Sequence, residues 1–319
     1  MVEKINGPKD LKKLNPQERQ ELICEMRKAL LERASVHMGH VGPDLGIVEA
    51  TVALHTVFDS PKDKIVYDVS HQSYPHKMLT GRMQAYTDPA HYNDVSGYTN
   101  PDESEHDFFN VGHTSTSISL ASGLAKARDL RGGKENIIAV IGDGSLSGGM
   151  AFEGLDTVGE LGTNFIVVFN DNDMSIAENH GGMYKGIRKL RETNGQAEDN
   201  LFRAFGLDYR FVADGNDVEA LIRAFEEVRD IDHPVVVHIV TQKGKGYAPA
   251  EKHPARFHGA EPFDVATGVP VKKKTKANYT DIFSTVMVKL AARHPDVVAI
   301  TAAMPDGTGL AKFSRWYPE

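Results

Sequence analysis

Four short runs of apolar, mostly β-branched residues constrain this chain more than anything else in it: Ile65-Val66-Tyr67-Asp68-Val69, Ile137-Ile138-Ala139-Val140-Ile141, Phe165-Ile166-Val167-Val168-Phe169 and Val235-Val236-Val237-His238-Ile239-Val240. None alternates apolar with polar residues, which is the pattern of strands buried on both faces. Segments with helical spacing separate them, at 117–130, 149–161 and 218–229. Strands alternating with helices build a parallel sheet covered by helices, so the fold class is α/β with a mostly parallel sheet.

Upstream, Asn15-Pro16-Gln17-Glu18 reads as an N-cap, a proline at the first helical position and a glutamate that reaches back to the cap. The helix that follows buries Leu22, Met26 and Leu30 and fades at Ser35; a second helix is expected over 45–58. Near Pro262 the periodicity stops, and 265–279, turn-rich and then basic, reads as an exposed linker. Thr280 is expected to cap a helix to about 293, and 297–301 has the composition of another buried strand. One helix and one strand cannot enclose a core. The expected organisation is therefore a diphosphate-binding domain over 1–264, a linker over 265–279, and the start of a truncated second α/β domain over 280–319.

Composition excludes several classes. The net charge is −8 and the sequence pI is near 6.0, so no basic field concentrates nucleic acid or anionic membrane. Cys24 is the only cysteine, which rules out an intrachain disulfide or a thiolate metal cluster. The N-terminus has no apolar signal core, and nowhere do about 18 apolar residues follow one another. A soluble, cytoplasmic protein with small-molecule substrates is expected, with neither nucleic acid nor membrane as a partner.

The chemistry concentrates in Gly142-Asp143-Gly144-Ser145, which closes one buried strand, and Asn170-Asp171-Asn172-Asp173-Met174, which closes another. Open α/β sheets bind ligands where such strand ends meet. Glycines let the backbone approach a phosphate, and amides opening the next helix donate to it. Asp143 alters this reading: a carboxylate aimed at a diphosphate repels it unless a cation lies between them. Mg²⁺ accepts a carboxylate, an amide oxygen, a backbone carbonyl and phosphate oxygens together, and Asn172 with the Met174 carbonyl completes such a set. A dinucleotide loop built on Gly142, Gly144 and Gly148 is the rival, since those glycines fall at spacings found in nucleotide-binding loops. No nucleoside-triphosphate P-loop occurs.

Gly-Asp-Gly followed after 27 residues by Asn is the spacing of thiamine-diphosphate enzymes. Further stretches are closer to one group of them: Gly39-His40-Val41-Gly42-Pro43, Tyr67-Asp68-Val69-Ser70-His71-Gln72-Ser73-Tyr74-Pro75-His76-Lys77, Gly112-His113-Thr114-Ser115-Thr116-Ser117, Asn170-Asp171-Asn172-Asp173-Met174-Ser175-Ile176 and Lys243-Gly244-Lys245-Gly246-Tyr247-Ala248-Pro249-Ala250-Glu251. From about Ala29 onward the chain resembles the 1-deoxy-D-xylulose-5-phosphate synthases.

That resemblance implies a thiamine-diphosphate-binding fold, thiamine diphosphate and Mg²⁺ as cofactors, and a homodimer. The implied reaction condenses pyruvate with D-glyceraldehyde 3-phosphate, with loss of CO₂, to a precursor of isoprenoids and thiamine. Asp143, Asn172 and the Met174 carbonyl would hold Mg²⁺; Gly144 and Ser145 would contact the diphosphate. His71, Gly112, His113, Thr114 and Tyr247 would line the cofactor, and His40 and His258, with His71, would face the reacting carbon. Neutral imidazoles suit proton relay there. His55, His76, His91, His106, His233 and His253 are read as ordinary hydrogen-bonded or surface residues, and His37 stays undecided.

The sequence departs from the family in three places. The glutamate that activates the cofactor belongs to the family's second domain and is expected beyond Glu319, so the chain alone is expected to be inactive. The stretch 179–201 is shorter than usual, and Ser96-Gly97-Tyr98-Thr99-Asn100-Pro101-Asp102 lacks the usual basic residues. A transketolase, a natural two-subunit enzyme, a non-catalytic cofactor-binding fragment and a nicotinamide oxidoreductase stand as the alternatives.

Overall fold

The computed structural model describes residues 1–176, 178–272 and 275–318. Five parallel strands form the central sheet: β1 (Lys64–Tyr67), β2 (Ile137–Gly142), β3 (Phe165–Asp171), β4 (Asp208–Val212) and β5 (Pro234–Val240), in the spatial order β1-β2-β3-β5-β4. The four runs predicted as strands are all present. The fifth, β4, is an edge strand carrying Asp208 and Arg210, and its partly polar face hid it from a search for continuous apolar runs.

Alternation along each strand divides the core in two. Ile138, Val140, Ile166, Val168, Val235 and Val237 face one side. There they meet α1 (Pro16–Val36), α2 (Val48–Val57) and α6 (Val218–Val228). Ile137, Ala139, Ile141, Phe165, Val167 and Phe169 face the other. They pack against α3 (Ser117–Leu130), α4 (Gly149–Leu161) and α5 (Met183–Glu192). At the amino ends of the strands, Asp63, Asn136 and Asn164 form a polar ladder. The Asn136 amide donates to Asp63 at 2.8 Å, and the Asn164 side chain donates to Asn136 at 3.0 Å. The carboxyl edge is left for chemistry.

The N-terminus of α1 carries the expected box, with the Asn15 side chain accepting from the Glu18 amide at 3.0 Å and Glu18 accepting from the Asn15 amide at 2.9 Å. The single helix expected over 45–58 is two, Gly42–Gly46 and α2, interrupted at Ile47 (φ −111°, ψ 6°). Gly46 lies against the backbone of Gln242 and Lys243, and accommodating that segment turns the first helix away from the second.

Downstream, 262–271 is exposed along much of its length but folds back on the first domain. Val271 donates its amide to the Pro262 carbonyl at 3.0 Å, and Asp264 to that of Val269 at 2.9 Å. Lys273 and Lys274 of the basic run lie outside the described residues. The helix that follows is α7 (Tyr279–Ala291), capped by Asn278 with Asp281 in a reciprocal box, rather than by Thr280. The strand expected over 297–301 is absent: Val298 is 77% and Ile300 93% exposed. Among the described residues no strand pairs with this segment, and an apolar strand without a neighbour leaves its backbone groups to water. Ala291, Leu310 and Phe313 form a small cluster apart from the main core.

Gly159, within α4, sits where a β-carbon would stand 2.0 Å from the Phe205 carbonyl oxygen. Helix propensity alone favours alanine over glycine by about 1 kcal/mol. The contact reverses that sign, because the obstacle is backbone. Gly159→Ala is expected to destabilise the protein by about 1–3 kcal/mol, read as a lowered urea midpoint.

Candidate active site

Three neighbouring strands end in aspartates that are almost wholly buried. Asp68 follows β1, Asp143 follows β2, and Asp171 is the last residue of β3. Each carboxylate has a different environment. Asp68 accepts the backbone amides of Ser115 and Ser117, both at 2.8 Å. It thereby fixes the turn that carries Gly112, His113 and Thr114 into α3. Ser115 sits there in the left-handed region (φ 70°) and donates its hydroxyl to the Ser145 carbonyl at 2.7 Å. The Gly112 turn is thus tied to both β1 and the loop after β2.

Asp143 opens the short helix Asp143–Leu146. Its carboxylate accepts from the Asn179 side chain at 2.6 Å, and its carbonyl from the Tyr184 hydroxyl at 3.1 Å. Burial, reinforced by the charge of Asp171, pushes the Asp143 carboxyl up to about 7. Beside it, Gly144 lies so close to Ser175 that a β-carbon would stand 2.7 Å from the serine Cβ. Glycine at 144 therefore lets the loops after β2 and β3 touch. The buried Oδ1 of Asn172, in the second of these loops, has no protein partner.

The histidines assemble from distant parts of the chain. Gly39 and His40 pair antiparallel with Gly259 and Ala260, and this two-residue ladder brings His258 beside His40. The ring centroids of His40 and His258 are 6.0 Å apart; His71 lies 4.9 Å from the first and 5.0 Å from the second. Burial lowers His40 to about 4. Burial, then the Lys243 ammonium, lowers His258 to about 3, and His71 is held well below the usual imidazole range by burial and by its charged neighbours. All three are neutral at pH 7. The Nδ1 atoms of His40 and His71 are buried without a protein partner. Lys243, itself brought down to about 8 by burial, lies 3.1 Å from His258 Nδ1 and donates to the Ser175 carbonyl.

Gly112, His113 and Thr114 are exposed. Gly112 and His113 line a cavity of about 340 Å³ with Asn110, Thr116 and Met150. Tyr247 is placed elsewhere: its ring packs against Phe257 and Phe263, and its hydroxyl donates to the Val265 carbonyl at 2.9 Å. A tyrosine in Gly-x-Gly-Tyr thus serves as an aromatic wedge under the turn. Of the histidines read as ordinary, His253 is exposed and the other five make side-chain contacts. His55 and His76 lie in a buried chain ending on Asp107, His106 contacts Ser60, and His91 and His233 pair with aspartates. His37 bonds Asn93 at 3.0 Å. Sequence reasoning gave no role to Asp68, Asn179 or Lys243. Asp68 carried a usable signal, a carboxylate directly after a buried strand.

Residues 2–198 and 192–241 match the family model described as 1-deoxy-D-xylulose-5-phosphate synthase. The chain belongs to this family. It is 43% identical to the 1-deoxy-D-xylulose-5-phosphate synthase of Desulfitobacterium hafniense (strain DSM 10664 / DCB-2), over all of this chain and 56% of that protein. It is 44% identical to that of Symbiobacterium thermophilum, over 99% of this chain and 54% of that protein. The chain therefore spans about half the length of the curated relatives it matches, and corresponds to an N-terminal portion of the family. Among solved structures it resembles transketolase from Campylobacter jejuni (TM-score 0.60, 18% identity, 96% of this chain and 48% of that one). It also resembles transketolase from Leishmania mexicana (TM-score 0.58, 18% identity, 87% and 48%). At such identities the likeness is one of fold.

The two matched segments of the synthase family model meet at 192–198, inside the stretch expected to be short. That stretch is not a bare loop: α5 occupies Met183–Glu192 and buries Tyr184, Ile187 and Leu190. In the other departure from the synthase pattern, Glu103 takes up the charge of the buried Lys77 at 2.6 Å and accepts from the Ser96 amide at 2.7 Å. The ring centroids of Tyr98 and His40 are 5.9 Å apart.

Two outcomes follow from these environments. A folded-state carboxyl raised to about 7 keeps its proton where the unfolded chain has lost it. Its contribution to stability is full below pH 4 and is lost as pH rises through 7. Without metal, Asp143→Asn should therefore raise the thermal midpoint at pH 8, by about 2–4 °C for each kcal/mol recovered, with no gain at pH 4. In NMR titrations between pH 5 and 8, the ring protons of His40 and His258 should hold constant shifts, while His91, raised by its bond to Asp94, should titrate.

Proposed function

We propose that this chain is the thiamine-diphosphate- and Mg²⁺-binding part of a 1-deoxy-D-xylulose-5-phosphate synthase, a transferase that condenses pyruvate with D-glyceraldehyde 3-phosphate and releases CO₂. The observation that carries the reading is the pairing of two features at one sheet edge: an under-compensated carboxylate beside an orphaned amide oxygen, and a cluster of neutral, buried imidazoles. Among the described residues no three His, Cys, Asp or Glu side chains gather as a metal cage. A hard cation accepts one carboxylate together with several neutral oxygens.

In this reading Asp143, Asn172 Oδ1 and the Met174 carbonyl hold Mg²⁺, while Gly144 and Ser145 receive the diphosphate. Gly112, His113 and Thr114 line the cofactor, with His71; the buried Tyr247 hydroxyl supports only an indirect role for that residue. When bound, thiamine diphosphate supplies a nucleophilic carbon and a sink for the electron pair left by decarboxylation. His40 and His258, uncharged, accept or donate a proton at a ring nitrogen without adding a fixed charge. Burial keeps His258 unprotonated, and Lys243 adds to this while setting a positive charge beside it. The same reading takes 1–264 as the cofactor domain, 265–279 as the connection and 280–319 as the opening of a second domain, which the separate Ala291–Leu310–Phe313 cluster supports. It takes the enzyme as a cytoplasmic homodimer, as the family resemblance implies.

The test is CO₂ release from pyruvate with thiamine diphosphate and Mg²⁺, assayed on the 319-residue chain and on the chain joined to the remainder found in its relatives. Aldehyde-dependent release only by the joined protein is the expected result. Turnover of ketose phosphates without CO₂ would replace the synthase by a transketolase, and turnover by the 319 residues alone would overturn the dependence on a second portion.

A further inference from the structure

Asp171 is the carboxylate nearest Asp143 along the sheet edge, yet it is fully occupied. Arg191, from the last turn of α5, donates Nη1 to both of its oxygens at 2.7 and 2.8 Å. His238 Nε2 contacts the same carboxylate at 2.9 Å, and the Tyr209 hydroxyl lies 2.7 Å from His238 Nδ1. An ionised carboxylate only accepts, so Nε2 carries the proton and Nδ1 accepts from the tyrosine. The second arm of the guanidinium, Nη2, lies 2.8 Å from Asp173, a residue in the left-handed region (φ 60°). One arginine therefore grips the residues on either side of Asn172, whose Oδ1 is buried and unpartnered.

We propose that Arg191 is a positioning residue for the divalent cation: its two-armed grip on Asp171 and Asp173 withdraws Asp171 as a ligand and presents Asn172 Oδ1 and the Met174 carbonyl in its place. The inference rests on the reading of this loop as the cation site. Among the described residues the loop is also held by the bond from the Asp173 amide to Asp171 Oδ1 at 3.2 Å, by the Lys243 bond to the Ser175 carbonyl, and by the bridge between Met174 and Glu178. None of these contacts the Asn172 side chain. Outer partners of metal ligands typically hold 10–100-fold in metal affinity, and here the partner belongs to the shortened stretch 179–201. The grip is also a matter of shape: each arm of the planar fork takes one carboxylate, a fixed geometry that the single ammonium of lysine does not reproduce.

Electrostatics alone gives the opposite sign, since removing a positive charge beside a cation site should tighten cation binding. The experiment is a Mn²⁺ titration of the 319-residue chain with saturating thiamine diphosphate at pH 8, reading free Mn²⁺ by electron paramagnetic resonance, for the wild type, Arg191→Met and Arg191→Lys. Arg191→Met should raise the apparent Kd for Mn²⁺ about tenfold or more. Arg191→Lys, which keeps the charge and loses the fork, should fall between it and the wild type. Should Arg191→Met fail to fold, the lysine variant decides alone. A Kd equal to or below that of the wild type in a folded variant overturns the grip and leaves the cation site standing. Absence of Mn²⁺ binding by the wild type overturns the cation site, and the grip with it.

Discussion

Burying a carboxylate at the end of a strand is costly unless something answers its charge, and this sheet does so three times along one edge. Asp68 is answered by two backbone amides, Asp171 by an arginine and a histidine, and Asp143 chiefly by one side-chain amide. The same residue type in three similar positions thus ends in three electrostatic states. Burial pushes Asp171 up, but its hydrogen bonds from His238 and Arg191 outweigh it; burial wins at Asp143. Asp143 is the carboxylate of the three whose charge is left short of compensation.

The surrounding loops follow from these solutions. Because Asp68 grips the Ser115 turn, and Ser115 grips the Ser145 carbonyl, the loops after β1 and β2 are tied together. Because Gly144 has no side chain, the loop after β3 closes on them. Lys243, after β5, bonds to the same Ser175 region and adds to the burial that depresses His258. At His40 and His71, too, burial is the first cause of suppressed protonation.

Much of this was legible in the sequence, and the limits are physical. Continuous apolar runs announced four strands because both faces of each are covered; β4, in which Asp208, Arg210 and Phe211 are only half-buried, left a weaker trace. The strand expected over 297–301 had the right composition and no neighbour, and composition cannot supply a partner for backbone hydrogen bonds. His40, His71 and His258 were marked by motif and do assemble, yet their closeness depends on a two-residue ladder that no periodicity reveals. Arg191 gave no signal at all, since one arginine on an amphipathic helix is ordinary until its partners are seen. Tyr247 shows the converse: its motif was clear, and its hydroxyl turned inward.

The Gly39–His40 ladder with Gly259–Ala260 has a consequence for how the protein comes into being. Its two halves belong to opposite ends of the first domain, so the cluster closes one of the longest loops the fold contains. Closing so long a loop costs entropy that only the finished sheet between its ends can offset. On a ribosome, β1, β2 and β3 can pair while the histidine cluster is still incomplete, because His258 has yet to emerge. The three rings can therefore come together only after a residue that follows all five strands of the sheet has been made.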